Sequence, residues 1–184
     1  VKNVEDEIRS ILEKIEGGPL RSALEETPRR VQVALEEMLS GYSVDIDSLF
    51  KTFDGEGKDQ LVIARKIHAY STCEHHLLPF EISVSVAYLP IDKVIGVSKM
   101  VRLVLAFARR LQLQERLTEQ IAETLMERLN PAGVAVVIKG EHLCMRMRGV
   151  KSEEAEVVTS VMLGKFREEA SLRAEFLHLI GEIS

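Results

Sequence analysis

Cys73-Glu74-His75-His76 and, about seventy residues later, Cys144 are the residues of this chain best suited to chemistry. Thiolate and imidazole are the ligands zinc favours, and a catalytic zinc keeps three protein ligands with a fourth position open to water. Cys73 and His76 are spaced to close on one ion from a loop, and Cys144 completes the set if its own strand comes alongside. Two other readings stay open on spacing alone. The thiols can be small buried hydrophobes, or the metal can be structural, although structural sites usually carry four protein ligands.

Histidine titrates near neutral pH and suits proton transfer beside a metal. His75 lies inside the cluster, and His142 stands two residues before Cys144. On an extended segment that spacing puts both side chains on one face. His142 can equally be a partly buried histidine bonded to the backbone. His68 and His178 lack such company and read as structural.

Charged residues extend the pattern. Ser98-Lys99-Met100-Val101-Arg102 opens a helix, with Ser98 as its cap. Helix N-termini offer free amides and a positive dipole end to anions, and Lys99 and Arg102 share a face. Arg148 follows four residues after Cys144. The alternative is a solvated basic face, the reading given to Arg109 and Arg110. Gln114-Glu115 begins the next helix. A carboxylate there can accept the N1–H and exocyclic amine of guanine, or simply be a first-turn acid favoured by the dipole.

The elements that must position these residues are legible from periodicity. Val4, Ile8, Ile11, Leu12 and Ile15 form a helical stripe, ended by Gly17-Gly18-Pro19. Thr27 reads as a helix cap with Pro28 in first position, and that helix runs to Gly41. One further helical turn fits Ile46 to Phe50. Residues 61–67 and 82–88 are rich in β-branched and aromatic residues and predict strands. A short strand at 94–97 precedes helices from Ser98 to about Leu111 and from Gln114 to Leu129. Strands follow at 133–139 and 157–162, and a last helix covers roughly 168–180. That order predicts an α+β protein with a mainly antiparallel sheet. The division expected is a helical region over 1–58 and a catalytic domain over 59–184.

Composition excludes several classes. The chain has 184 residues, net charge −5 and 46% hydrophobic residues, an ordinary globular balance with no long basic run for nucleic acid. No apolar stretch reaches the length of a membrane span. No charged-then-apolar leader opens the chain, so a cytoplasmic location is expected, although a leader removed before Val1 would leave no trace. With two cysteines and no export signal, the thiols are expected free, metal-bound or catalytic rather than paired.

Taken together, these stretches resemble the GTP cyclohydrolase I family. The resemblance runs from about residue 20 to 180 through Thr27-Pro28-Arg29-Arg30-Val31, Ser71-Thr72-Cys73-Glu74-His75-His76-Leu77-Leu78-Pro79-Phe80 and Val94-Ile95-Gly96-Val97-Ser98-Lys99. It continues through Gln112-Leu113-Gln114-Glu115-Arg116-Leu117-Thr118, Glu141-His142-Leu143-Cys144-Met145, Met147-Arg148-Gly149-Val150 and Thr159-Ser160. It implies a tunnelling fold: an antiparallel sheet with helices on one face, here with an N-terminal helical arm, closing between subunits into a homo-oligomer, commonly a decamer.

By the same resemblance Cys73, His76 and Cys144 hold Zn2+, and His75 and His142 move protons. Glu115, supported by Gln114, holds the guanine of GTP. Ser98, Lys99, Arg102 and Arg148 face the ribose and triphosphate, and Arg30 reaches a neighbouring subunit's site. The expected reaction is hydrolysis of GTP at C8, with loss of formate, to 7,8-dihydroneopterin triphosphate. The chain departs from the family at Ile82-Ser83, where Gly-Lys is usual, and in the acidic loop 151–156. A tunnelling-fold enzyme for another pterin or deazapurine, and a zinc-stapled scaffold without catalysis, are the rival expectations.

Overall fold

The structure is a computed structural model that describes residues 2–54 and 60–182. The expected domain boundary at 58/59 lies outside the described residues. Helix α1 (Glu5–Glu16) and helix α2 (Thr27–Met38) form the N-terminal arm. Short strand β1 (Thr52–Asp54) follows, then the hairpin of β2 (Val62–Cys73) and β3 (Pro79–Leu89). Strand β4 (Lys93–Ile95), helix α3 (Val97–Ala108), strand β5 (Leu111–Gln112) and helix α4 (Gln114–Leu129) come next. The chain ends with strand β6 (Gly133–His142), a helical turn α5 (Leu143–Arg146), strand β7 (Val157–Gly164), turn α6 (Lys165–Glu168) and helix α7 (Ala170–Ile180).

Five strands make the main sheet in the order β5-β2-β3-β6-β7, antiparallel except for the short parallel pair of β5 with β2. Strands β1 and β4 form a separate two-stranded ribbon. The expected α+β antiparallel architecture is thus present. Alternation along β3 and β6 divides the side chains between two cores. Val84, Val86, Tyr88, Val134, Val136 and Ile138 pack beneath α3 and α4. Ala87, Leu89, Ala135 and Val137 point the other way, toward Phe166, Phe176 and Ile180. The two long helices therefore share one face as expected, while α7 covers one end of the opposite face.

The hairpin is longer than the apolar pattern of 61–67 and 82–88 suggests. Strand β2 continues to Cys73 because Ile67, Ala69 and Ser71 face the core while His68 and Tyr70 face out. The small and polar residues hide the alternation from a hydrophobicity reading. Helix starts also differ from expectation. Helix α2 begins at Thr27 with Glu26 before it, and α3 begins at Val97 behind Gly96, neither with a side-chain cap bond. Ser98 therefore sits in the first turn of α3 rather than capping it.

The arm is docked firmly. Gly41 donates its amide to Arg109 O at 3.0 Å, and a Cβ there would overlap the carbonyl oxygens of Ala106 and Arg109. Arg110 stacks over Phe107 and Tyr42 and donates from Nε to the carbonyls of Gly41 and Ala106. Burial lowers its pKa. Arg110 thus joins the segment that follows α2 to helix α3 and is not part of a solvated basic face, and Arg109 alone of that pair is exposed.

Candidate functional site

Cys73 ends β2 and is buried, pinned by its amide to Leu78 O at 2.9 Å as the hairpin turns. The turn folds back on it: His76 and Leu77 both donate their amides to Cys73 O. Leu77 adopts φ +54°, a left-handed conformation rarely taken by a branched residue. This tight return sets His76 Nδ1 3.5 Å from Cys73 Sγ. Glu74 locks the loop from outside, with its amide on Gln112 O and its carboxylate paired to Arg116 of α4. Sequence reasoning passed over this latch because an isolated Glu and Arg 42 residues apart carry no local signal.

Cys144 arrives from the other side of the sheet's end. It lies in the helical turn α5, not on an extended segment as the spacing from His142 suggested. The strand ends at His142, where pairing with Phe80 stops, and the chain coils at once. The same partner residue is reached by a different backbone route. One donor atom from each of Cys73, His76 and Cys144 lies within 4.8 Å of the other two.

Burial, then the Cys73 sulfur beside it, raise the pKa of Cys144, and the Arg148 guanidinium opposes them. Two thiols crowded together resist ionising unless a cation joins them. Two sulfurs and one imidazole nitrogen also suit a borderline-soft divalent metal. The residues present therefore fit a metal ion on the chemistry of their donors. No disulfide links the cysteines.

His142 stands beside this group. Its ring stacks on Phe80 with centroids 4.3 Å apart and planes 6° from parallel. Its Nε2 meets Gln114 Oε1 at 2.9 Å. Burial lowers the pKa of His142, and the nearby Glu115 carboxylate pulls the other way. Glu115 itself is exposed in the first turn of α4. His75 is exposed at the hairpin tip, its ring edge-on to His76 at 6.1 Å.

The structure thus gathers Cys73, His76, Cys144, His142, Gln114, Glu115 and Arg148 at one end of the sheet. Gln114 lies differently from its expected role beside guanine. It is 1% exposed, and its amide is spent on Ile138 O, Val157 O, Thr159 Oγ1 and His142. Direct contact with a substrate would require breaking that set. Thr118, Thr159, Phe80 and Gly140, which frame it, were not singled out from sequence. A glycine inside a strand signals close approach by another group, but the expected strand stopped at 139, whereas β6 runs through Gly140 to His142.

Ser98, Lys99 and Arg102 lie on the first turns of α3, and Arg30 lies on α2. Arg30, Ser98 and Arg102 are exposed. Among the described residues no ion pair engages Arg30, Lys99, Arg102 or Arg148. Ile82 and Ser83, the departures noted in sequence, fit ordinary β3 pairing opposite Gly140 and Lys139. A cleft of about 410 Å³ lined by Met38, His68, Tyr70, Leu105 and Arg109 contains none of the ligating atoms.

Comparison with known proteins follows the same line. A family model described as GTP cyclohydrolase I matches residues 4–181. A protein named GTP cyclohydrolase 1 from Leptospira biflexa serovar Patoc is 49% identical over 178 residues, covering 96% of this chain and 97% of its own length. One of the same name from Coxiella burnetii is 47% identical over equal shares. Another from Thermoanaerobacter pseudethanolicus is 46% identical over 180 residues, 97% of this chain and 96% of its own. Among solved structures, archaeosine synthase QueF-Like in the apo form aligns with TM-score 0.49 and 22% identity over 59% of this chain and 97% of that one. Among the described residues no helix is long and apolar enough to cross a membrane.

Proposed function

Because this chain belongs to the GTP cyclohydrolase I family, we propose that it hydrolyses the purine ring of GTP at C8, with zinc held by Cys73, His76 and Cys144. Formate leaves, and the remaining ribose and pyrimidine rearrange to 7,8-dihydroneopterin triphosphate. The observation that carries this reading is the convergence of those three donors, drawn from two distant segments, beside His142. A scaffold would need the metal but neither His142 nor the exposed His75.

When bound, zinc supplies Lewis acidity that makes water a nucleophile near neutral pH. The chain's own groups do the rest. Glu115, exposed at the start of α4, accepts the N1–H and amine of guanine and so orients C8 toward the cysteine group. His142 delivers a proton to the imidazole ring of the purine as it opens. His75 serves the second proton transfer, when formate departs. Lys99, Arg102 and Arg148, which make no ion pair among the described residues, take the triphosphate, helped by Ser98 and the positive end of α3. Their cost of desolvation is low because they sit near the surface, and a polyanion supplies the missing counter-charge.

The site is completed by a second copy in this reading. Arg30 sits on the arm and reaches the triphosphate of a neighbour. Among the described residues nothing pairs with the outer edge of β7, and β5 covers only the end of β2. Open edges of this kind are removed when sheets join between subunits into a closed ring, the arrangement expected of a tunnelling-fold homodecamer. Apolar side chains exposed around the site, among them Tyr70, Leu77, Met147 and Val150, favour the same assembly. A cytoplasmic setting suits it, since thiols stay reduced there.

The test is direct. The protein is loaded with zinc, its metal content measured, and GTP added. A pterin-type fluorescent product and stoichiometric formate are expected. Full turnover after chelation and verified metal loss would overturn the proposal.

A further inference from the structure

Gln114 is a buried polar side chain that the reaction above leaves without a task. Its Nε2 lies 3.1 Å from Ile138 O, 2.8 Å from Val157 O and 3.1 Å from Thr159 Oγ1. Carbonyl oxygens only accept, so the amide cannot be reversed without setting oxygen against oxygen. The Oε1 end must therefore be the one that faces His142 Nε2 at 2.9 Å. That oxygen also only accepts, so the hydrogen in this contact belongs to the imidazole.

The neighbouring hydroxyls agree with this direction. Thr118 Oγ1 donates to the backbone oxygen of Gln114 at 2.7 Å. Its proton is then committed, so in the 2.7 Å contact between Thr118 and Thr159 the donor is Thr159. Thr159 Oγ1 keeps a lone pair for the Gln114 amide. The two hydrogens of Gln114 Nε2 are shared among three acceptors, and reversing the amide would set Oε1 against two carbonyls.

Space is reserved for the arrangement as well. A Cβ on Gly140 would overlap Gln114 Oε1 and come within 3.3 Å of His142 Nε2. Gly140 has no positive φ, so room rather than backbone freedom requires glycine here. Phe80 holds the ring plane from the other side.

We propose that Gln114 is a positioning residue for proton transfer: it holds His142 with a proton on Nε2, leaving Nδ1, bare in the resting enzyme, to take the proton released by the attacking water and pass it to the purine ring. The hydrogen bond made by one ring nitrogen decides the state of the other. This rests on the role given to His142 above, and it withdraws Gln114 from the guanine contact.

The test uses the full-length, zinc-loaded protein labelled with 15N-histidine, measured by solid-state NMR, with His142→Gln as the assignment control. Wild-type His142 is expected to show a pyrrole-type Nε2 and a pyridine-type Nδ1. Gln114→Met should mix the tautomers and lower kcat roughly 10- to 100-fold, with KM for GTP within about twofold and zinc content unchanged. Gly140→Ala, which displaces the amide without deleting it, should move the His142 signals the same way. A bare Nε2 in the wild-type protein overturns the proposal even if no variant folds. A raised KM with kcat retained in Gln114→Met also overturns it, since that marks a substrate contact. If the wild-type tautomer is as expected but GTP is not turned over, it is the proposed reaction that fails, not the hydrogen-bond chain.

Discussion

Two regions of this molecule treat polar groups in opposite ways. The buried side chain of Gln114 finds its partners within the chain: His142, Thr159 and two strand carbonyls surround its amide, and Thr118 bonds its backbone oxygen. At Arg30, Lys99, Arg102 and Arg148, outside that interior, no ion pair forms among the described residues. Burial explains the difference. An unpaired polar atom inside costs about 1–3 kcal/mol, so the interior must be self-sufficient. At the surface water satisfies a cation, and its partner can be left to arrive later as a ligand. In the reaction proposed above, the first region fixes geometry before substrate comes, and the second is completed by substrate or another subunit.

The cysteine group lies between these extremes, internally gathered yet chemically incomplete. Removing zinc, or replacing Cys144 with Ser, is expected to abolish turnover, read as loss of formate release. Restored turnover with zinc absent would break the distinction at its centre. Glu115→Gln comes next. Losing a charged acceptor for two guanine hydrogen bonds should cost about 1.5–3 kcal/mol, or ~10- to 100-fold in KM for GTP. An unchanged KM would move guanine recognition elsewhere.

Smaller effects test the surface. Lys99→Met and Arg102→Met should each raise KM about tenfold at low salt, and less at high salt, because solvent ions screen exposed charges. Effects on kcat with KM intact would place these cations in the self-sufficient region instead. Mixing Arg30→Ala subunits with Glu115→Gln subunits should recover activity above either parent if sites are shared between copies. No recovery in verified mixed assemblies would confine the site to one chain.

The smallest effect concerns a pair far from the reaction. Lys139 and Glu182 meet at 2.8 Å and tie the end of the chain to β6. Glu182→Gln should lower stability by about 0.2–1 kcal/mol in denaturant titration. The bond to Glu182, against a weaker effect of burial, raises the Lys139 pKa. Its stabilisation is thus complete below about 10.4 and fades only as pH rises through the folded value.

The amino-acid sequence by itself determined the element order, the ligand types and the family. Cys73, His76 and Cys144 were readable because metal chemistry selects few residue types, and the helices and the strand at 133–139 were readable because their apolar periods are strong. Only the tertiary structure decided how those parts meet. Cys144 comes by a helical turn rather than a strand, and Gln114, expected to support Glu115 at guanine, has its side chain buried against His142. Arg110, half-buried, joins the segment after α2 to helix α3. The reason is common to all three. Periodicity reports which face of an element is apolar, whereas the partner of a polar side chain depends on which distant segment lies against it, and only folding brings that segment there.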